Sequence, residues 1–594
     1  MELQAPRAPG TTIDARLGVI VVGATGVALC SLAWTATFWF RYHPHLPWQD
    51  LYVLWTNLLP LLETGELDRN TLATLLEPHY ASHRIFLPRL LVVLDVVQFH
   101  GQGHALYASG WGSLFALWAM FARTAARLGN GDRAGTMFGA ALGGILLFAP
   151  PGAWNLANPI NSSWHLGLAL ALGSFLVALT GFKRSNALAL PAAYVLATLA
   201  ALTNFAGVIA WLLLPLIAVP AGWRTVSFAS VASGLLTALY LQGVSSDAAI
   251  AMRWEYGDPQ SAAALRSMAS EALAGNGLAS VASKTLRFLG WPLAQSAPLP
   301  AALLVMASFL VVLASAFRWL RGWRRRSDAA PWLMFAIACA GLCIGTAIAT
   351  QLGRVIEQPN YAHGPSFERY QTVVGVYWSA CAALTLMFAR ELRALPRSLA
   401  WGACLMVAIL IGAPGSACLK QEVQSAEYAS RLFLLGEHPG WREPQDGALL
   451  RFQPEFVFTF DAFMARRELA YHSPIPIIRR TTGSPQCSEM GLYVLVDGDG
   501  PGGSVRLTAQ WPAWQSLWTR GLVLYVDSRP VGRMNPHHTG GYTPADLMSP
   551  TLTRWEGMAD AKMIHNARWE IGVETPLGMR SLCTPGMAER EHAG

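Results

Sequence analysis

The stretch LGVIVVGATGVALCSLAWTATFWF (17–40) carries no charged residue over a length that matches the hydrocarbon core of a bilayer. Arg7 and Arg16 precede it. The small residues Ala24 and Ala28 lie inside it, with the bulky Leu29, Leu32 and Trp34 beyond them. This order reads as a retained first membrane helix rather than a cleaved signal peptide.

The rest of the chain repeats the pattern. Of 594 residues, 53% are hydrophobic and only 13% are charged, about half the charged share of a soluble domain. The apolar residues gather in runs near 17–40, 100–121, 137–152, 163–181, 186–202, 204–221, 225–243, 298–317, 331–350, 371–389 and 398–414. Stretches 51–61 and 85–98 are too short to span and read as interfacial or re-entrant helices. The sequence thus predicts an α-helical polytopic membrane protein with about eleven transmembrane helices.

The net charge of +7 does not point to nucleic acid, because the basic residues cluster at the ends of apolar runs. With residues 1–16 in the cytoplasm, the inner connections hold Arg123, Arg127 and Arg133, then Lys183 and Arg184, then Arg224. The group Arg318–Arg326 follows, and then Arg390, Arg393 and Arg397. The connections around 153–162 and 203 hold no Lys or Arg, as the positive-inside rule demands. The expected localisation is a bacterial inner (cytoplasmic) membrane, multi-pass, with the C-terminal segment outside.

Three polar segments then share the outer side: loops 41–99 and 244–297, and the tail after 414. The expected division is a transmembrane domain (1–414), a helical linker region (415–479) and a β-rich extracytoplasmic domain (480–594). Within the linker, 417–434 reads as a helix, and residues 261–288 suggest a surface helical pair. In the tail, GLYVLVDG (491–498), SVRLTAQW (504–511) and GLVLYVDSRPVGRM (521–534) read as strands, with a hairpin turn at 527–530. Cys487 and Cys583 share this tail and can pair if it faces an oxidising compartment. Cys339 and Cys343 lie four apart in an apolar run, without nearby His, and read as small hydrophobes.

Ionisable residues concentrate in two outer segments. Loop one contains Asp50 beside Trp48, then Glu77, His79, His83, Arg84 and Arg89, and Asp95 inside an apolar stretch where a carboxylate is costly unless paired or wet. The connection QLGRVIEQPNYAHGPSFERYQTVVGVYW (351–378) adds Arg354, Glu357, His363, Glu368, Arg369 and Tyr370. Arginines on one side suggest a joint anion site, since the guanidinium fork suits phosphate. Arg253 in the second outer loop can add to it. Interfacial snorkelling is the competing reading for these arginines, and a solvated linker is the competing reading for Glu63, Glu66 and Asp68. No HExxH, CxxC or GxxxxGK[ST] is present. Loop-one carboxylates offer a place for a divalent cation that helps a phosphate leave.

A first span, a large outer loop with an early acidic residue, many further spans and an outer C-terminal domain together resemble the GT-C class of membrane glycosyltransferases. HYASHRIFLPRLLVVLD (79–95) is similar to an EHR-x-x-x-P-R signature of a bacterial membrane protein group, with Ser82 standing at the acidic position. FERYQTVVGVYW (367–378) resembles a second run of that group, and the β-rich tail has no counterpart in the resemblance. The resemblance implies a polyprenyl-phosphate-linked sugar donor, a glycan or glycolipid acceptor, surrounding membrane lipids and inversion at the sugar. It also implies Asp50 as general base, with Glu77 and His83 positioning donor or acceptor. Arg84, Arg89, Arg369 and Tyr370 would hold phosphate, assisted by Arg253, Arg354 and His363. Two other classes stay open: a transporter or flippase of a lipid-linked saccharide, and a non-catalytic envelope assembly protein. An extracytoplasmic acyl or phospho-group transferase is a further possibility.

Overall fold

The computed structural model describes residues 15–42, 58–63, 65, 69–79, 83–129, 132–157, 160–242, 277–322, 329–357, 370–392, 394–412, 466–467, 486–490, 492–499, 504–512, 519, 521–527, 529–537, 552–560, 564, 569–575 and 578–584. Two bodies emerge, a helical bundle and a β-sheet. The expected helix at 417–434 and the first half of the pair at 261–288 lie outside the described residues.

The bundle is made of α1 (Ala15–Tyr42), α2 (Arg69–Leu76), α3 (Phe86–Phe99), α4 (His104–Gly129), α5 (Arg133–Leu147), α6 (Ala153–Ala157), α7 (Ser163–Lys183) and α8 (Ala189–Ala201). It continues through α9 (Ala206–Ile217), α10 (Trp223–Leu241), α11 (Gly277–Leu289), α12 (Pro298–Gly322), α13 (Ala330–Glu357), α14 (Gln371–Ala389) and α15 (Ala394–Gly412). Among the described residues, eight helices are long and apolar enough to cross a membrane. Three more apolar runs fold as shorter helices, at Arg133–Leu147, Ala189–Ala201 and Ala206–Ala221. Two of these runs were expected at fuller length. Pro215 breaks the backbone ladder near the end of α9, and the turn at residues 202–205 separates it from α8.

The outward faces are apolar, as lipid requires: Val19, Val22, Leu299, Leu310, Leu313 and Leu399 are all exposed. The centre is α14, nearly enclosed along its whole length, against which α4, α5, α13 and α15 pack. Small residues set the closest approaches. A Cβ on Gly375 would lie 2.6 Å from the Leu146 carbonyl oxygen, so α14 and α5 meet nearly backbone to backbone.

Side-chain bonds fix which helix ends lie together. At one end, Thr35 Oγ1 donates to the Phe148 carbonyl (2.8 Å) and Ser162 Oγ to the Leu106 carbonyl (3.0 Å). Gln371 Nε2 donates to the Ile411 carbonyl there (3.4 Å). At the other end, Arg390 Nη1 donates to the Leu128 carbonyl (3.2 Å), Arg397 pairs with Asp132, and Arg318 pairs with Glu391 (2.6 Å). The second end, the basic end, thus collects the charge clusters marked in the sequence. The first, the loop end, carries residues 69–99.

The sheet has seven antiparallel strands: β3 (Tyr493–Asp499), β4 (Ser504–Pro512), β5 (Gly521–Val526), β6 (Arg529–His537), β7 (Leu552–Asp560), β8 (Trp569–Thr575) and β9 (Gly578–Cys583). Their spatial order is β3-β4-β7-β6-β5-β8-β9. The two-residue ladder β1 (Pro78–His79) with β2 (His83–Arg84) belongs to the bundle. Leu507, Ala509, Leu522, Leu524, Met534, Trp555, Ile571 and Val573 form the interior of the large sheet. All six residues of β5 are buried, which suits its unbroken apolar run GLVLYV. The turn from β5 to β6 places Asp527 at φ 49°, a left-handed conformation that Asp tolerates. The last three strands are polar and Gly-containing, and the sequence reading did not find them.

Cys487 and Cys583 form a disulfide with Cα atoms 4.9 Å apart. Cys487 lies just before β3 and Cys583 ends β9, the two edge strands. A parallel bridge between Gln486 and Thr584 adjoins it. The ladder is not closed, but its two edges are drawn together.

Candidate functional site

The loop end is built around two arginines. In α3, which opens with Phe86-Leu87-Pro88-Arg89, proline takes a first-turn position where its missing N–H costs nothing. Arg89 follows on the inner face and is 1% exposed. Its Nη1 donates to the carbonyls of Thr74 (2.8 Å), Leu75 (3.0 Å) and Glu77 (2.6 Å). These carbonyls lie at the C-terminal end of α2, where a cation meets the negative end of the helix dipole. Burial lowers the Arg89 pKa to about 10, against the favourable field of Glu77 and with the unfavourable field of Arg84.

Arg84, on β2, reaches the opposite way. Its backbone N–H donates to Tyr240 Oη (3.0 Å) and its Nε to the Tyr240 carbonyl (3.1 Å). Its two terminal nitrogens donate to the carbonyls of Leu76 and Gln242. The guanidinium lies 6.0 Å from the centre of the Tyr240 ring. Together with Leu87 N–H donating to the Leu202 carbonyl (3.0 Å), these bonds tie residues 69–99 to the ends of α8 and α10.

Both guanidinium groups therefore hold carbonyls. The Arg89 side chain is enclosed by the segment it organises, which gives it a positioning role there. Arg84 is half-buried and also engaged with backbone. Glu77 stands exposed at the end of α2, and His83 is half-buried opposite His79 on the two-residue ladder. Asp50, Arg253, His363 and Arg369 lie outside the described residues, as does the side chain of Arg354. Tyr370 is 5% exposed, with its ring centre 5.1 Å from Trp164 and 5.1 Å from Phe288. An expected phosphate ligand is thus an enclosed aromatic.

Asp95 resolves the question its apolar surroundings raised. Its Oδ2 accepts from Gly103 N–H (2.6 Å) and its Oδ1 from Ala105 N–H (2.8 Å), capping the start of α4. Burial raises its pKa to about 6, opposed by the N–H groups of Ala105, Gly103 and His104.

A second polar group at this end escaped the sequence reading. His165 Nε2 and Thr372 Oγ1 are 3.1 Å apart, and Asn155 Nδ2 donates to the same Thr372 hydroxyl (3.4 Å). His165 Nδ1 and Gln371 Oε1 are buried with no hydrogen-bond partner in the structure. Buried polar atoms in this state are the kind that water or substrate hydroxyls satisfy. The available signal was WNLANPINSSWH (154–165), a run rich in Asn and Ser between two apolar segments and without Lys or Arg.

Among the described residues, no three His, Cys, Asp or Glu side chains come together as a metal site. The loop-one carboxylates Asp50, Glu66 and Asp68 lie outside those residues. Comparison of the chain with protein-family models, with curated proteins and with solved structures finds no match. The site's chemistry must therefore be argued from its own residues.

Proposed function

We propose that this protein is a membrane glycosyltransferase that moves a sugar from a polyprenyl-phosphate donor to an envelope glycan or glycolipid acceptor at its loop end, with inversion. In this reading the loop end faces outward from a bacterial inner membrane, and the basic end faces the cytoplasm. The carrying observation is that residues 69–99 are built into the bundle through Arg84 and Arg89. A solvated linker needs no such anchorage. The anchored segment carries Glu77 and His83 at the same end of the bundle as the buried Asn155–His165–Thr372 group, and that group has the neutral donors and acceptors that suit sugar hydroxyls. Asp50 is the proposed base that takes the acceptor proton. The donor phosphate needs cations as the glycosidic bond breaks, and Arg253, Arg354 and Arg369 are the proposed source.

Transport of a lipid-linked saccharide is the second reading, favoured by the buried polar atoms of α7 and α14 inside the bundle. One experiment separates the two. Full-length protein in liposomes is supplied with a synthetic polyprenyl-phosphate sugar and a glycolipid acceptor, and both free polyprenyl phosphate and the sidedness of the intact donor are measured. Transfer predicts release of polyprenyl phosphate, lost in Asp50→Asn and reduced in Glu77→Gln. Donor crossing without release would replace transfer with transport, and release unaffected by Asp50→Asn would remove the assigned base.

A further inference from the structure

Helix α11 adds positive charge to the loop end, on an element tied to the start of α14. Its 13 residues measure about 20 Å, too short to cross a bilayer. It packs on α12, α13 and α14, with Val281, Thr285, Phe288 and Leu289 as its buried stripe. Trp378 Nε1 on α14 donates to the Leu289 carbonyl (2.8 Å), and the Phe288 and Tyr370 ring centres are 5.1 Å apart. Tyr370 also meets Trp164, so two ring contacts lead from α11 to the chain neighbours of Thr372 and His165.

The flank beside that stripe is polar. Ser280, Lys284 and Arg287 recur at i, i+4 and i+7, which puts them on one line of the helix with neighbouring Cβ atoms about 5–6 Å apart. Lys284 stands one turn before Phe288, so this line runs next to the residue that touches Tyr370. Lys284 is half-buried and Arg287 is exposed. Among the described residues, neither gives a hydrogen bond or forms an ion pair. No acidic residue occurs on α11 to offset them. Arg84 and Arg89, at the same end, already direct guanidinium donors to backbone carbonyls.

Two cations one turn apart, with a hydroxyl in line, suit an anion that carries several acceptor oxygens. A phosphate ester is such an anion, and charge-assisted bonds to it exceed those between neutral groups. Placement narrows the choice. A helix seated at the loop end of a membrane bundle meets phosphates that lipids hold at the bilayer surface. We infer that Lys284 and Arg287 bind the phosphate of the lipid-linked donor, with Ser280 as a further hydrogen-bond donor. The polyprenyl identity of that lipid rests on the transfer reading, whereas the phosphate site rests on α11. Lysine acts as a point charge and arginine as a planar fork.

The test is binding of polyprenyl phosphate alone, without sugar, to the full-length protein in phosphatidylcholine nanodiscs. Bound ligand is counted by native mass spectrometry across a titration. Lys284→Gln and Arg287→Gln are each expected to raise the Kd roughly tenfold, the strength of one charge-assisted hydrogen bond. Lys284→Arg should keep the binding, and so should Arg224→Gln at the basic end. An unchanged Kd in both glutamine variants would mean that the cations answer only the helix dipole, and would overturn the inference. So would absence of binding in the unaltered protein, equal loss in Arg224→Gln, or full competition by phosphatidylglycerol at equal concentration. Donor turnover keeps the two readings apart. Turnover with unchanged binding in the variants removes the role of α11 alone. Weakened binding in the variants, without turnover in the unaltered protein, removes transfer alone.

Discussion

Cys487 and Cys583 hold opposite edges of a seven-stranded sheet within 4.9 Å, Cα to Cα. Seven strands laid flat at about 4.8 Å spacing would separate those edges by roughly 29 Å. The sheet therefore curls so that the turn before β3, which carries Cys487, meets the end of β9, and the bridge from Gln486 to Thr584 continues the contact. The side chains of the inner face, Trp555 and Leu524 among them, fill the space that curling encloses.

Removing this link is expected to loosen the sheet as a unit. The cysteines are 96 residues apart, and a loop of that length is stabilised by about 4–5 kcal/mol on closure in the chain-entropy treatment. Cys487→Ser with Cys583→Ser should lower the denaturant midpoint of the sheet, followed through tryptophan fluorescence. Reduction of the unaltered protein should reproduce the shift. An unchanged midpoint would mean that the strands alone hold the curl.

Gly521 permits a pair that spans a strand. Arg533 on β6 and Glu574 on β8 meet at 2.6 Å across β5, and a Cβ at Gly521 would lie 2.9 Å from Arg533 Nη2 and 3.1 Å from Glu574 Oε2. Gly521→Val is expected to force the two charges apart and cost about 2 kcal/mol or more. Comparison with Gly521→Val in an Arg533→Met, Glu574→Met background checks this, because the cost should shrink once the pair is gone.

Arg89 should not be replaceable by lysine. The lysine side chain is shorter, so its ammonium stops short of the position that Arg89 Nη1 occupies, and at least one carbonyl at the end of α2 loses its partner. Arg89→Lys is expected to destabilise by about 1–3 kcal/mol, and Arg89→Met by more, with enhanced proteolysis near residues 69–79 as the local readout. Wild-type protection of that segment in Arg89→Met would contradict the anchoring role.

Asp95 carries a pH signature. Its folded pKa, about 6, lies above the ordinary 3.8, so the fold holds more protons than the unfolded chain between those values. Stability linked to this group therefore falls as pH rises from about 4 to about 6 and is flat outside that window. Asp95→Asn removes the titration, so the unaltered protein should gain on the variant as pH drops through this range, by up to about 3 kcal/mol. Thermal unfolding of both proteins in detergent at pH 4.5 and 7 measures the difference.

The bundle was legible because lipid imposes a blunt code: long uncharged runs, with arginine at alternate ends. Helix length was less legible. Composition does not show that the 186–221 stretch turns back at residues 202–205, where Asn204 Oδ1 accepts from the Ala206 N–H. At the loop end the sequence marked Arg84 and Arg89 as important, yet it does not encode whether a guanidinium faces phosphate or carbonyl. That choice depends on α2 ending beneath Arg89, a tertiary fact. Asp95 raised the right question, and the helix start that answers it lies only eight to ten residues onward. The Asn155–His165–Thr372 group draws Thr372 from more than two hundred positions away, so the polar run at 154–165 marks only half of it. In the sheet, β5 stood out as an apolar run, whereas β7 alternates Trp555, Gly557 and Ala559 inward with Glu556 and Met558 between them. Gly557 is required there because a Cβ would lie 1.8 Å from the Arg533 carbonyl oxygen, and that glycine masks the strand signal.

The strand order also sets a timetable for synthesis. The edge strands are the first and the last of the sheet to be made, so the disulfide cannot form until residue 583 has been synthesised and released. Until then Cys487 lacks its partner thiol, and the enclosed tryptophans wait on a wall that arrives last. Truncating the chain before the final two strands would thus leave β5 with an open flank that other chains can pair with.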